Sequence, residues 1–276
     1  MNYFAAISTD NGINELPCNP CNLLDFRLVI LADGESIICA SENREVLAVI
    51  FGGKAHFKVG DSYFENVGGR PNVFSGKPYA VYFPARSEAT ITGAGNVQMG
   101  LVIAPSNLQT TPYVITPDKV THGVWGAANF SRRFHQILHA SAQPDCPSQR
   151  LIVGETFTPS GNWSTYPAHK HEVDDLPGEA FHEEMYFFKV TPDNGFGITR
   201  HYSAPDADEH FDENYTVRDN TILMIPHGYH TYVSAPGFTS YYLWFLAGEH
   251  RIQGVQEDPD TGWVSKSVPM LRELGH

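Results

Sequence analysis

Only four cysteines occur in 276 residues: Cys18, Cys21, Cys39 and Cys146. Cys18 and Cys21 have the spacing of a zinc or redox pair, but no second Cys or His pair follows nearby. We therefore read them as ordinary thiols in a surface loop and expect no disulfide framework. Basic residues are also scarce: 18 Lys and Arg against 31 Asp and Glu give a formal net charge of −13. No basic cluster exceeds Arg132-Arg133, so the electrostatic footprint of a nucleic-acid-binding surface is missing. No apolar run approaches the ~18 residues of a membrane span. The first ten residues have neither a basic region nor a long apolar stretch, which argues against a secretory signal. The expectation is a soluble, cytoplasmic protein. Helical periodicity is scarce as well, with few windows sustaining it over about ten residues.

What the chain has in quantity is turn residues, 24 Gly and 19 Pro, spread between short runs rich in Val, Ile, Phe and Tyr. Hydrophobic residues make up 42% and aromatics 12%, enough to form a packed core and to exclude disorder. Apolar runs such as 45–51 and alternating runs such as 54–59 recur with turn signals between them. The fold class is all-β with few short helices, of barrel or sandwich type.

The plan repeats. Gly34-Glu35-Ser36 parallels Gly161-Asn162-Trp163, and Glu45-Val46-Leu47-Ala48-Val49 parallels Glu184-Met185-Tyr186-Phe187-Phe188. Tyr82-Phe83-Pro84 parallels Met224-Ile225-Pro226, and 97–105 parallels 240–248. The matches keep their order, so we infer an internal duplication of two β-barrels. Residues 1–120 form an N-terminal barrel without metal ligands, and residues 121–276 a C-terminal barrel that carries them.

Seven of the thirteen histidines fall between His169 and His230. His169 and His171 are two apart, which on a strand puts both imidazoles on one face. His230 follows the turn Pro226-His227-Gly228-Tyr229. Glu172, Asp174, Asp175, Glu179, Glu183 and Glu184 lie between them. Glu184 is favoured as the fourth ligand because it leads directly into the apolar strand Met185 to Val190, with Glu183 the alternative. Three His and one Glu suit a divalent ion such as Zn, Mn or Fe, and an open coordination position would make the site catalytic. His182, His201, His210 and His227 are read as supporting or surface groups. Lys170, between two ligands, should point away from the pocket.

At these residues the chain resembles the cupins: His169-x-His171 and Glu184 form a first motif, Pro226-x-Gly228-x-His230 a second. The insert between His171 and Glu184 is longer than usual, and the second motif is one residue shorter. The runs Tyr166-Pro167-Ala168-His169-Lys170-His171-Glu172, Asp175-Leu176-Pro177-Gly178-Glu179 and Glu183-Glu184-Met185-Tyr186 resemble the 5-deoxy-glucuronate isomerases of inositol breakdown. Val217-Arg218-Asp219, Tyr241-Tyr242-Leu243-Trp244 and Tyr82-Phe83-Pro84 agree with this. The related isomerases of 4-deoxy-5-keto-uronates share the ligand set but are less similar.

The resemblance implies a bicupin and an aldose–ketose isomerisation of 5-deoxy-D-glucuronate to 2-deoxy-5-keto-D-gluconate, aided by a divalent Lewis acid. Glu183, Glu172, His182 and Tyr166 are the candidates for moving the proton, and a hydride shift without a base stays open. The substrate carboxylate calls for an arginine; Arg200, Arg218 and Arg133 are the candidates. Tyr242, with Tyr241, Trp244 and Phe245, is expected to line the barrel. The acidic stretch Glu172 to His182 is expected to act as a lid. The expected partner is a small-molecule sugar acid, with neither nucleic acid nor membrane, and a homo-oligomer stays open. Three competing readings are a 4-deoxy-5-keto-uronate isomerase of pectin breakdown, an iron cupin dioxygenase with the same ligand set, and a non-catalytic sugar-acid-binding module.

Overall fold

The computed structural model describes residues 2–276. Among the described residues the only helical elements are the 3-10 turns Ala128–Phe130 and Gly262–Ser267 and the short α-helix Val268–Glu273; the rest is strand and loop. Among the described residues no helix is long and apolar enough to cross a membrane.

The strands form four sheets. The first half gives a six-stranded sheet in the order Tyr113–Ile115, Ala80–Phe83, Arg44–Gly52, Val97–Pro105, Asp25–Leu31, Gly12–Glu15. It also gives a four-stranded sheet in the order Ser36–Ala40, Glu88–Gly93, Lys54–Val59, Ser62–Gly68. The second half gives a seven-stranded sheet: Phe4–Ala6, Thr221–Ile225, Glu183–Thr191, Thr239–Ala247, Leu151–Thr158, Arg132–Leu138, Thr121–Trp125. Its five-stranded sheet runs Asp212–Val217, Gly197–Tyr202, Tyr229–Ser234, Trp163–Lys170, Gln256–Glu257. Apart from edge strands, the two halves have the same strand order. The strand Phe4–Ala6 departs from a grouping of residues 1–120, because it pairs with Thr221–Ile225 of the second half.

Side-chain alternation explains why the central strands read as unbroken apolar runs: both of their faces are covered. In Arg44–Gly52, Val46, Ala48 and Ile50 pack inside the first half, while Leu47, Val49 and Phe51 pack against the second. In Thr239–Ala247, Tyr241, Leu243 and Phe245 face the first half, while Tyr242, Trp244 and Leu246 face the interior of the second. The six- and seven-stranded sheets thus meet face to face over stacked rings, Phe26 on Phe187 at 5.0 Å and Phe51 on Phe187 at 5.2 Å between centroids. A buried polar clamp crosses the same seam, with Arg70 donating to both oxygens of Glu155 at 3.0 Å and His135 Nδ1 2.7 Å from Glu155. Cys21 belongs to this core and not to a surface loop, and all four thiols are free.

Strand register corrects one detail of the duplication. Glu45 pairs with Ala104 and Val46 with Phe83; Glu183 pairs with Ala247 and Glu184 with Ile225. Glu45 therefore corresponds to Glu183, and Val46 to Glu184. The matched pair does the same work in both halves. Glu45 accepts the backbone N–H groups of Gln149, Arg150 and Leu151 from the second half. Glu183 accepts those of Asn22 and Leu23 from the first.

Candidate metal centre

The interior of the second half holds the predicted constellation. His169 lies on Trp163–Lys170 and His171 just beyond it; His230 lies on Tyr229–Ser234, with His169 its direct cross-strand partner. Glu184 approaches from the seven-stranded sheet opposite. One donor atom from each of the four lies within 4.8 Å of all the others. Glu184 Oε2 is 3.1 Å from Nε2 of both His171 and His230. His171 Nδ1 donates to the His182 carbonyl at 2.7 Å, which fixes the ring so that Nε2 faces Glu184. Gly228, at φ +89°, lets the chain turn into His230 where a Cβ would sit 2.7 Å from the Tyr202 carbonyl oxygen.

Two of the three imidazoles are held neutral, and the third keeps its proton more tightly, a proton that a bound cation would displace. Burial alone would raise the Glu184 carboxyl, but hydrogen bonds from His171 and His230 hold it well below the usual carboxylate range. Burial, reinforced by neighbouring imidazoles, pushes His169 well down, and burial lowers His230. His171 moves up, because its bond to Glu184 outweighs its burial. Two neutral imidazoles, a third paired with the carboxylate, and the carboxylate itself are a donor set that can hold one divalent transition ion.

Two of these residues, His169 and Glu184, line a cavity of about 360 Å³. Its wall includes His169, Glu184, Tyr166, Tyr186, Tyr242 and Trp244. The cavity therefore gathers two of the other sequence candidates, Tyr166 and Tyr242, and leaves six outside. Glu183 projects from the opposite face of its strand and is tied to Asn22 and Leu23. Glu172 accepts from the Gly228 N–H at 2.9 Å and pairs with Lys170 at 2.9 Å, bracing the turn before His230. The His182 ring has both nitrogens against carbonyl oxygens, of Ala180 at 3.1 Å and His250 at 2.6 Å. Arg200 is paired with Asp212 on an exposed sheet surface. Arg218 is exposed in the bend after Asp212–Val217. Arg133 is exposed and lies over Phe157. Tyr241 and Phe245, expected in the barrel, face the first half instead.

The stretch Glu172 to His182 contributes nothing to the cavity wall. It is pinned by an Asp175–Glu179 bridge and by the Ala180 N–H on the Gly254 carbonyl at 3.1 Å. The outer wall is the C-terminal segment, through Gln253, Val255, Glu257, Ser265 and Val268. Arg272 fastens that segment to the carbonyls of Val124 and Gly126.

Among the lining residues that the sequence does not single out are Arg132, Thr156, Tyr186 and Glu257. Tyr186 lies two residues beyond Glu184 on the same strand face, and its hydroxyl is 3.1 Å from His230 Nε2. That spacing was legible once Glu184 was placed. Glu257 is the one carboxylate on the wall besides Glu184; it pairs with His169 as an edge strand and accepts from Ser265 Oγ at 2.9 Å. No local pattern in 249–274 signals this.

A family profile, KduI/IolB family, matches residues 14–264. The chain is 35% identical over 243 residues to the 5-deoxy-glucuronate isomerase of Geobacillus kaustophilus, covering 88% of this chain and 86% of that one. It is equally 35% identical over 244 residues to the enzyme of that name from Bacillus subtilis strain 168, covering 87% of each. Among solved structures, an IolB-like protein from Salmonella typhimurium superposes with a TM-score of 0.88 at 28% identity, over 96% of this chain and 99% of that one. The oxalate decarboxylase of Lactobacillus farciminis superposes at 0.65 with 10% identity, over 99% and 93%, a likeness of fold alone. The chain belongs to the KduI/IolB family.

Proposed function

We propose that this chain converts 5-deoxy-D-glucuronate to 2-deoxy-5-keto-D-gluconate, at a divalent ion held by His169, His171, Glu184 and His230. In this reading residues 121–276 carry the chemistry and residues 1–120 are its scaffold. By its family the chain is an isomerase. One observation supports the more specific reading: two members of the four-donor cluster, His169 and Glu184, line a cavity whose wall holds a single further carboxylate, Glu257. A divalent ion bound there, one of Zn, Mn or Fe, would supply Lewis acidity for the isomerisation. Glu257 accepts the proton from the hydroxyl-bearing carbon beside the aldehyde, and the electron pair forms the enediolate. After exchange with solvent it delivers a proton to the aldehyde carbon, which becomes the hydroxymethyl carbon of the product, while the hydroxyl proton passes to the former carbonyl oxygen. Ser265 Oγ, 2.9 Å from Glu257, keeps the carboxylate in place between the two transfers. The aromatic wall and the C-terminal segment limit water around the intermediate.

The test is anaerobic NMR of 5-deoxy-glucuronate with the metal-loaded chain in deuterated water. The reading predicts the keto acid with deuterium at the carbon derived from the aldehyde. Silence with all three metals would sink it, and product free of deuterium would remove the step given to Glu257. Turnover without oxygen also separates it from an iron dioxygenase using the same donor set.

A further inference from the structure

We infer that Arg132, Trp244 and Thr156 form a carboxylate subsite in the cavity, which holds the acid end of the sugar while its carbonyl end faces the four-donor cluster. The inference rests on the isomerase reading for the sugar's identity, but its own evidence is independent. Three buried polar atoms on these side chains have no hydrogen-bond partner: Arg132 Nε, Trp244 Nε1 and Thr156 Oγ1. All three residues line the cavity with His169 and Glu184. Trp244 is 3% exposed and Thr156 0%. A buried donor left unpaired costs roughly 1–3 kcal/mol; the three atoms are closed off from solvent on side chains that line the cavity, and the chain itself offers them no acceptor, so a bound acceptor must draw them toward it.

The register explains the convergence. Trp125 pairs with Arg132, Phe134 with Thr156, and Gly154 with Trp244, so alternation puts Arg132, Thr156 and Trp244 on the inward face of the seven-stranded sheet. Arg133, one residue on, faces out. Gly154 makes room for the indole: a Cβ there would sit 2.1 Å from Trp244 Cζ2. The guanidinium lies 5.7 Å from the centre of the Trp125 ring, and one Nη donates to the Phe130 carbonyl at 3.3 Å. Those contacts set its direction and leave the rest of its fork free. Among the described residues no carboxylate lies within 4.0 Å of it.

The ligand class follows from donor chemistry. Guanidinium and indole N–H groups donate only, and a hydroxyl completes the set with a third donor. A carboxylate accepts only, through two oxygens that match the guanidinium fork. A neutral hydroxymethyl group at that end of the sugar satisfies the fork poorly, so the subsite selects sugar acids over neutral sugars.

Two measurements on the metal-loaded chain test this. The first is steady-state kinetics with 5-deoxy-glucuronate. Removing one charge-assisted contact, Arg132→Gln, should raise KM about 10- to 100-fold with a smaller change in kcat. Arg132→Lys, which keeps the charge and loses the fork, should fall between. The second is a tryptophan-fluorescence titration with D-glucarate, an open-chain dicarboxylate, and D-glucitol, its neutral counterpart. Wild type should prefer glucarate, and Arg132→Gln and Trp244→Phe should lose that preference while metal content and thermal midpoint stay unchanged. If KM and glucarate affinity both survive in Arg132→Gln, or if wild type does not prefer glucarate, the subsite is wrong. If glucarate binding depends on Arg132 but 5-deoxy-glucuronate is not converted, the subsite stands and the isomerase reading fails.

Discussion

Replacing Glu183 separates a catalytic from an architectural carboxylate. On the sequence Glu183 competes for the role of proton carrier; in the fold it reaches away from the cavity. Its Oε1 accepts from the Asn22 N–H at 2.8 Å and its Oε2 from the Leu23 N–H at 2.5 Å. Hydrogen bonds to a charged acceptor are each worth roughly 1.5–3 kcal/mol. Glu183→Gln keeps one acceptor oxygen and turns an amide donor on the other N–H, so the loss should be about 1.5–3 kcal/mol. For a chain of this size that lowers the thermal midpoint by roughly 4–10 °C. Calorimetry reads the midpoint, and kinetics well below it should find kcat within about threefold of wild type. Glu45→Gln is the internal control. Glu45 accepts three N–H groups at 2.7–3.0 Å and the Tyr82 hydroxyl at 2.7 Å, so its loss should destabilise more. A Glu183→Gln chain with an unchanged midpoint and a hundredfold drop in kcat would refute the argument and return Glu183 to the chemistry.

Three further outcomes are expected. Glu257→Gln should lower kcat by about 10²–10⁴ with metal content intact, as read by kinetics and elemental analysis; near-wild-type turnover would clear Glu257 of the role. Burial would raise Glu155, yet Arg70 and His135 bring it net below the usual range. Its stabilising contribution is therefore present above the unfolded carboxylate pKa of about 4.3 and lost as pH falls through the lower folded value. Arg70→Met, which strands that carboxylate at 0% exposure, should cost about 3–5 kcal/mol at neutral pH, and the gap to wild type should narrow in acid denaturation. Gly154→Ala should displace the Trp244 indole, seen as a shift in near-ultraviolet circular dichroism with a raised KM.

The parts of this site that were legible in the sequence were those fixed by short spacing. The two-residue step from His169 to His171, the Glu184 at the head of an apolar strand and the turn before His230 each constrain one face of one element. What could not be read was phase and partnership. An apolar run covered on both faces gives no sign of which alternate set looks into the cavity, so Glu183 could not be told from a cavity residue, and Tyr241 and Phe245 were grouped with Tyr242 and Trp244. The same one-residue ambiguity hid that Arg132 lines the cavity and Arg133 does not. Local sequence likewise matched Glu45 with Glu184, whereas register matches it with Glu183. Arg200 was lost to its own Asp212, a pairing across neighbouring strands. Length and acidity mark Glu172 to His182 as a surface excursion but do not place it on the cavity wall, which is formed instead by long-range packing of 253–268.

The central claim is that four side chains from two facing sheets hold one divalent ion. Elemental analysis of the metal-loaded chain, set beside His171→Ala and Glu184→Gln with their folding checked by circular dichroism, tests it most directly. About one ion per wild-type chain and nearly none in either folded variant is the predicted result. Equal metal content in all three would contradict it.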